Sequence, residues 1–393
     1  MTNLVSIEEV AEINPPALLD IKPHSDELVP FVPMAAVGED GTITTVQTRP
    51  FGEVAAGYTQ FCAGDVLLAK ITPCMENGKA ALVEDIDGVG CGSTEFHVLR
   101  PKKGVFPRYL FHSVWNPFFR REAVNNMTGS AGQKRVPRAF FQRYKFPLPL
   151  LDEQKRIAAI LDKADGVRRK RQQALRMSDC FLRSVFLDLF GDPTTNPKGW
   201  AKGTIRDLVT SVNYGTSQKS HSEKSGTPVL RMNNITYEGG WNFSELKYSD
   251  LPEGDAVKYL VQKGELLFNR TNSRELVGKT AVYREEKPMA YAGYLVRAVA
   301  KPDADAEYIA AYLNSTHGKA VLMAMCKSII GMANINAQEM LSIPIHLPPL
   351  RVQKRFGDIV RSTANRMKIR ADANREAEAL FSVLQHRAFR GEF

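Results

Sequence analysis

Two long stretches of the chain carry apolar and small residues at near-heptad spacing without a single proline. The first runs from about Asp152 to Phe190 with Gly166 as its only internal glycine, the second from about Arg351 to Phe389 with only Gly357. One row is Ile160, Ala164, Val167, Ala174, Phe181 and Val185; the other is Phe356, Val360, Thr363, Met367, Ala377, Leu380 and Leu384. Sustained spacing of this kind predicts long helices that pack on each other. A Leu-Pro pair precedes each, as expected at a helix entry. Basic residues interrupt both rows, Arg168-Arg169-Lys170-Arg171 in one, Arg366 and Arg370 in the other. That block could track phosphates; a solvated helix face is the stronger reading.

The rest of the chain has a different texture. Short β-like runs (Asp65–Ala69, Phe96–Leu99, Glu265–Phe268, Tyr294–Val299) are punctuated by Gly and Pro, with helical stretches at Pro107–Trp115 and Glu307–Asn314. These runs recur. Gly64-Asp65-Val66-Leu67-Leu68-Ala69-Lys70 matches Gly264-Glu265-Leu266-Leu267-Phe268-Asn269-Arg270, and Gly78-Lys79-Ala80-Ala81-Leu82 matches Gly278-Lys279-Thr280-Ala281-Val282 in the same register. Val5–Val10 resembles Gly203–Leu208, and Phe31–Met34 resembles Val229–Met232. Leu148-Pro149-Leu150-Leu151-Asp152-Glu153-Gln154-Lys155-Arg156 matches Leu347-Pro348-Pro349-Leu350-Arg351-Val352-Gln353-Lys354-Arg355. Collinear matches across the chain mean that it is one unit written twice.

The expected fold is α+β: two similar mixed α/β domains separated by two long antiparallel helices forming a coiled coil. The boundaries read as 1–150 for the first globule, 151–191 for the first helix, 192–349 for the second globule, and 350–393 for the second helix and tail. A helix of about 38 residues is about 57 Å long at about 1.5 Å per residue. That is the length of about 17 base pairs of duplex DNA.

Charge changes the picture. Lys and Arg number 52 against 43 Asp and Glu, a formal net charge of +9 over 393 residues. Such an excess favours a polyanionic partner. No run of eighteen apolar residues occurs, so no membrane span is expected. Met1–Val10 carries Glu8 and Glu9 and no basic n-region, so no secretory signal is expected and the chain is read as cytoplasmic. The five cysteines include no C-x-x-C pair and point to neither a disulfide framework nor a zinc site.

The sequence carries only incomplete catalytic signatures. Asn14-Pro15-Pro16-Ala17 resembles an amino-methyltransferase motif, but alanine stands where an aromatic should stack on a flipped base. Gly278-Lys279-Thr280 resembles the end of a P-loop, yet the glycine required five residues earlier is Ser273. A repeated turn between strands explains both copies. The seven histidines show no metal-ligand spacing. No cofactor and no catalytic residue are assigned to this chain.

Recognition is expected where a repeated framework carries unlike loops. The first segment begins at a basic residue, Lys70 or Arg270, and closes at Lys79 or Lys279. Between them lie Thr72 and Asn77 in one copy and Asn272 and Arg274 in the other. A second segment is Gly132-Gln133-Lys134-Arg135-Val136, aligned with Gly331-Met332-Ala333-Asn334-Ile335. A third is Arg231-Met232-Asn233-Asn234. Arg and Lys suit guanine, and Asn and Gln suit adenine. The same side chains also grip phosphate or simply sit in water. The candidate DNA-contacting set is Lys70, Thr72, Asn77, Lys79, Gln133, Lys134, Arg135, Arg231, Asn233, Arg270, Asn272, Arg274, Lys279 and Asn334.

The chain resembles the specificity (S) subunits of Type I restriction-modification systems. The likeness is carried by Pro147-Leu148-Pro149-Leu150-Leu151-Asp152-Glu153-Gln154-Lys155-Arg156-Ile157, by Ser184–Pro193 with Gly199-Trp200, and by Ala388–Phe393. It covers essentially the whole chain. The resemblance implies two target-recognition domains reading a bipartite, asymmetric, gapped site in double-stranded DNA. It implies a non-catalytic role in phage defence, with two DNA methyltransferase (M) subunits docked on the helices and termini, and restriction/translocation (R) subunits joining them. S-adenosylmethionine and ATP would bind those partners, and the reaction would be N6-methylation of adenine. Arg351-Val352 replaces the Asp152-Glu153 of the first copy, a departure at the second helix start. Rival readings are a specificity-type scaffold of another defence system, a stand-alone methyltransferase or nuclease, and a basic structural protein without sequence preference.

Overall fold

The computed structural model describes residues 3–15, 23–130, 132–252, 254, 258–273, 276–329 and 332–393. They form two compact units, Met1–Gln172 with Asp372–Phe393 (unit 1), and Gln173–Ala371 (unit 2).

In unit 1 the strand Val66–Ala69 is buried along its whole length. It sits inside an antiparallel sheet of order Ala11–Ile13, Phe96–Pro101, Val66–Ala69, Ala80–Leu82. Both faces are covered. Val66 and Leu68 point to Tyr109, Leu110, Phe111, Ile157 and Leu161 on the helical side. Leu67, Ala81 and Val98 point the other way, to Val32, Phe61 and Phe96. A strand covered on both sides has no polar face, which is why its sequence is an unbroken apolar run. The second sheet has the order Gln47–Pro50, Leu28–Val32, Gly90–Gly92, Thr59–Phe61, with its middle pair parallel.

Unit 2 repeats this arrangement. One sheet runs Val209–Tyr214, Leu295–Ala300, Leu266–Asn269, Thr280–Val282; the other runs Lys247–Ser249, Thr227–Leu230, Met289–Tyr291, Leu260–Val261, again with a parallel middle pair. Leu266 and Phe268 face the helices, and Leu267 and Ala281 face the second sheet. The repeated Gly-Asp/Glu is the turn into the buried strand. Gly64 and Gly264 have φ of 88° and 91°, a left-handed conformation that glycine adopts without penalty. The following carboxylate closes the turn by accepting the backbone N–H of Cys62 (2.9 Å) or Gln262 (2.6 Å).

The long helices span Leu151–Phe190 and Leu350–Ala388. Each contributes one end to each unit, and within a unit the two ends run antiparallel. In unit 1, Arg171 donates to the carbonyl of Ala373, and the Arg156 guanidinium lies 5.9 Å from the Phe393 ring. In unit 2, Arg370 donates to Ser178 Oγ (2.8 Å), and Phe186 and Phe190 meet Phe356. The same side chains seat the helix ends in both copies. Tyr109 packs on Phe389 and donates to the Pro147 carbonyl (2.7 Å); Tyr308 packs on Phe190 and donates to the His346 carbonyl (2.8 Å).

The buried helical stripe keeps part of the expected row and departs from the rest. Phe356, Val360 and Ala377 are buried as expected, whereas Val167, Phe181 and Leu380 are exposed, and Gln154, Ile157, Ala158, Leu161 and Asp165 in the first helix, with Gln353 and Phe381 in the second, are buried outside the row. The reason is that these segments pack on a globule as well as on a helix. A 3.6-residue stripe facing a globule drifts away from a strict coiled-coil seam.

Among the described residues, no helix is long and apolar enough to cross a membrane, and no group of three His, Cys, Asp or Glu is placed to hold a metal. Among the described residues, Cys62, Cys74, Cys91 and Cys180 form no disulfide.

Candidate nucleic-acid interface

The two unlike segments in each copy, far apart in sequence, meet at one place. In unit 1, Ile71 bridges to Arg135, which also pairs with Thr128. The contact is held by Thr72 N–H to the Lys134 carbonyl (3.0 Å) and Val136 N–H to the Lys70 carbonyl (2.9 Å). In unit 2 the same meeting has grown into a three-stranded sheet, with Thr271 opposite Asn334 and Asn334 opposite Lys327. Ile335 N–H donates to the Arg270 carbonyl (2.9 Å). Lys70, Thr72, Lys134 and Arg135 are thereby gathered in one unit, and Arg270, Thr271 and Asn334 in the other.

The charges at these equivalent positions are handled differently. Arg135 makes a fork-to-fork pair with Glu95, Nε to Oε2 at 2.9 Å and Nη2 to Oε1 at 2.8 Å. Those bonds hold the Glu95 carboxyl below its ordinary range. Lys134 and Gln133 stay exposed. In unit 2, Arg270 lies 4.9 Å over the ring of Tyr214, and among the described residues it has no carboxylate partner. Its Nε is buried without an acceptor. Tyr214 itself is fixed, its hydroxyl accepting from Ala337 N–H (3.0 Å). A guanidinium placed over an aromatic ring can still offer N–H groups to a planar acceptor.

The lysines that close the first segment have another task. Lys279 is 9% exposed, and its ammonium donates to the carbonyls of Met232 (2.9 Å) and Ile235 (2.6 Å); Lys79 reaches the Met34 carbonyl (3.3 Å). Burial pulls the Lys279 ammonium below its ordinary pKa. Each lysine ties the turn at Met34–Ala36 or Met232–Asn234 to the end of the recognition segment. The Gly278-Lys279-Thr280 sequence is thus the entry to a strand and a latch. Asn233 is exposed on the tied turn, Arg231 is half-buried beside it, and Asn77 is exposed near the end of its loop. The backbone of Asn272 pairs with Ala333. Arg274 and Gly331 lie outside the described residues, as do Pro16 and Ala17.

Of the basic helix block, Arg168 and Arg169 are committed to the buried Asp165, and Arg171 to the Ala373 carbonyl.

Sequence reasoning passed over Glu95, Tyr214, Tyr294 and His97. Glu95 and Tyr294 occupy matching places, each carbonyl accepting the N–H of Lys70 or Arg270. They differ between copies, which is the signal used for the loops. His97 anchors the second segment from beneath: Nε2 lies 2.8 Å from the Val136 carbonyl, and Nδ1 lies 3.2 Å from the Asn14 amide nitrogen. A carbonyl only accepts, so Nε2 carries the proton and the ring is neutral. Burial pushes its pKa down to about 4. The neutral form is favoured in the folded state, so this contribution is complete above the ordinary value near 6.5 and is lost as pH falls from there towards 4. Unit 1 should lose up to about 3 kcal/mol across that window. Unfolding midpoints of the wild type and a His97→Gln variant at pH 7 and 4.5 check this; an equal pH dependence in both would rule it out.

The sequence profile of the Type I restriction modification DNA specificity domain matches residues 3–176 and again 197–379. The chain belongs to that family. The Type I restriction enzyme EcoAI specificity subunit of Escherichia coli is 42% identical over 156 residues, 39% of this chain and 26% of that protein. The EcoKI specificity subunit of E. coli K12 is 25% identical over 289 residues, 70% of this chain and 60% of its own length. The specificity-domain chain therefore spans less than two thirds of either relative. Among solved structures, the Type I S subunit from M. genitalium has a TM-score of 0.60 at 11% identity, covering 99% of this chain and 96% of that one. A chain from a study of assembly and conformational transition in the type I R-M system has a TM-score of 0.53 at 20% identity, covering 100% and 98%. These likenesses establish the fold: two specificity domains of mixed sheet and helix, with the long helices pairing antiparallel. The double profile match falls on the same repeat that the sheets display.

Proposed function

We propose that this chain is the DNA-reading, non-catalytic subunit of a Type I restriction-modification complex. It reads a bipartite, asymmetric and gapped site in double-stranded DNA, one half per unit, and carries two methyltransferase subunits and, with them, restriction/translocation subunits in the cytoplasm. Methyl donor and ATP belong to those partners. The observation that carries the reading is the meeting of two unlike segments on a repeated scaffold, Lys70–Thr72 with Lys134–Arg135 and Arg270–Thr271 with Asn334. The scaffold is common to both units and the presented side chains are not, so each unit suits a different half-site.

Within the candidate set, Lys134, Gln133, Asn77, Lys70 and Thr72 are the readers or phosphate contacts of unit 1. Arg270, Asn272, Arg274, Asn233, Arg231 and Asn334 serve unit 2. Arg135 acts through its pair with Glu95, and Lys79 and Lys279 hold the surface together. The test is N6-methyladenine mapping in cells with and without the gene. A gapped, asymmetric motif methylated only when the chain is present is the expected result. If no motif depends on the chain while it co-purifies with an active methyltransferase, the reading is wrong.

A further inference from the structure

At the joint between each globule and the helix that follows it, three matching positions carry reversed charges, while the further partners of the helix residue differ: His112 in unit 1, and Asp305 and Asp358 in unit 2, where unit 1 has Phe106 and Ala159. In unit 1 the three positions are Glu84, Arg108 and Asp162; in unit 2 their repeat partners are Arg284, Glu307 and Arg361. Arg108 pairs with Glu84, and its Nε lies 3.6 Å from Asp162 Oδ2. His112, one turn further along the same helix and fully buried, places Nε2 2.9 Å from Asp162 Oδ1. In unit 2, Arg284 grips the buried Glu307 with two bonds of 2.7 and 2.5 Å. Arg361 reaches Asp305 at 3.2 Å and its helix neighbour Asp358 at 2.9 Å, with Glu307 close enough to add to its attraction. The globule presents a cation, Arg108, to an anionic helix position in one unit and anions, Asp305 and Glu307, to a cationic one in the other.

One reversal alone would set like charges against each other at a half-buried contact, so the positions have to change together. The framework around them is the same in both copies: Gln154 and Gln353 enter the joint alike, and Tyr109 and Tyr308 make the same bond. We propose that the reversed charges are a key, by which each globule accepts the helix start of its own half and rejects that of the other. A globule moved to the other position without the first turns of its helix would bring Arg108 against Arg361, or Glu307 against Asp162. The module that can be exchanged intact is therefore the globule together with its helix as far as Asp162 or Arg361. The inference rests on the fold alone and is independent of what the chain binds.

The test is a set of charge reversals in the full-length chain, read by thermal unfolding. Asp162→Arg should lower the midpoint by roughly 3–6 °C, and Glu84→Arg with Arg108→Glu should lower it as well. The three together reproduce the charges of unit 2 at these three positions, with Glu at 108 facing Arg at 162, and should recover most of the loss. Arg361→Asp should behave as Asp162→Arg does. Strictly additive losses, with no recovery in the combined variant, would overturn the key. Should Asp162→Arg fail to fold, Asp162→Asn and Arg361→Gln decide. Their midpoints should fall below wild type at low salt and converge with it at high salt; midpoints equal to wild type at low salt would equally overturn it.

Discussion

Arg270→Ala is expected to weaken recognition of the half-site read by unit 2 by about 10- to 100-fold, the value of one good bidentate contact. Reading of the other half-site should stay intact. The expectation rests on an arginine over the Tyr214 ring that has no carboxylate partner among the described residues. Preorganisation matters because a free arginine loses about 2 kcal/mol of rotamer entropy when it is fixed. Tyr214→Ala should reproduce part of the loss, while Tyr214→Phe, which keeps the ring, should reproduce little of it. Selection of bound sequences from a random pool distinguishes two contacts. If Arg270 reads a base, one position relaxes; if it holds a phosphate, all sequences weaken together and the salt slope falls by about one. Unchanged affinity and unchanged preference would remove Arg270 from the interface.

The second large effect is on stability. Gln154 is buried, and its amide makes three bonds: its oxygen accepts Phe106 N–H (2.8 Å), and its nitrogen donates to Gly104 O (3.1 Å) and Pro149 O (2.9 Å). Phe106 caps the helix Pro107–Trp115 without a side-chain bond of its own, and its backbone N–H, which a capping-box side chain would otherwise take, is taken by the amide of the long helix. Gln154→Leu keeps the volume and strands the backbone groups. The expected cost is about 2–4 kcal/mol, a fall in midpoint on the order of 10 °C. Gln353→Leu should cost less. Its amide makes two such bonds, to Asp305 N–H (3.0 Å) and the Pro348 carbonyl (2.8 Å), and Asp305 also caps its own helix through Glu307 N–H. Calorimetry of the two variants tests both size and order; a Gln154→Leu midpoint within a degree of wild type would refute the clamp.

Much of this was legible in the sequence, for definite reasons. The Gly-Asp/Glu turn, the apolar strand after it and the Leu-Pro helix entry are local, and each occurs twice, so the repeat announced them. Gln154 and Gln353 stood in plain view within the repeated motif. The pairing of Ile71 with Arg135 was not legible, because nothing local encodes the register of a bridge across more than sixty residues. Lys79 and Lys279 read as surface cations because they follow a polar loop. Only the fold shows the carbonyls of Met34 and Met232 within reach of their ammonium groups. Tyr214 was missed because the strand Val209–Tyr214 precedes Arg270 by more than fifty residues. The helical row holds at Phe356, Val360 and Ala377 and fails at Val167, Phe181 and Leu380, because the burying surface is a globule as well as a helix.

The division of the two long helices has a consequence for how the chain is made. Unit 2 is one continuous segment, Gln173–Ala371, whereas unit 1 draws its last piece from Asp372–Phe393. Phe381 and Ala388 belong to the core that Ile7, Val66 and Tyr109 build at the other end of the sequence. On the ribosome the first globule to emerge is therefore the last to be completed: it must wait, with the face meant for Phe381 uncovered, until the whole of unit 2 has been synthesised.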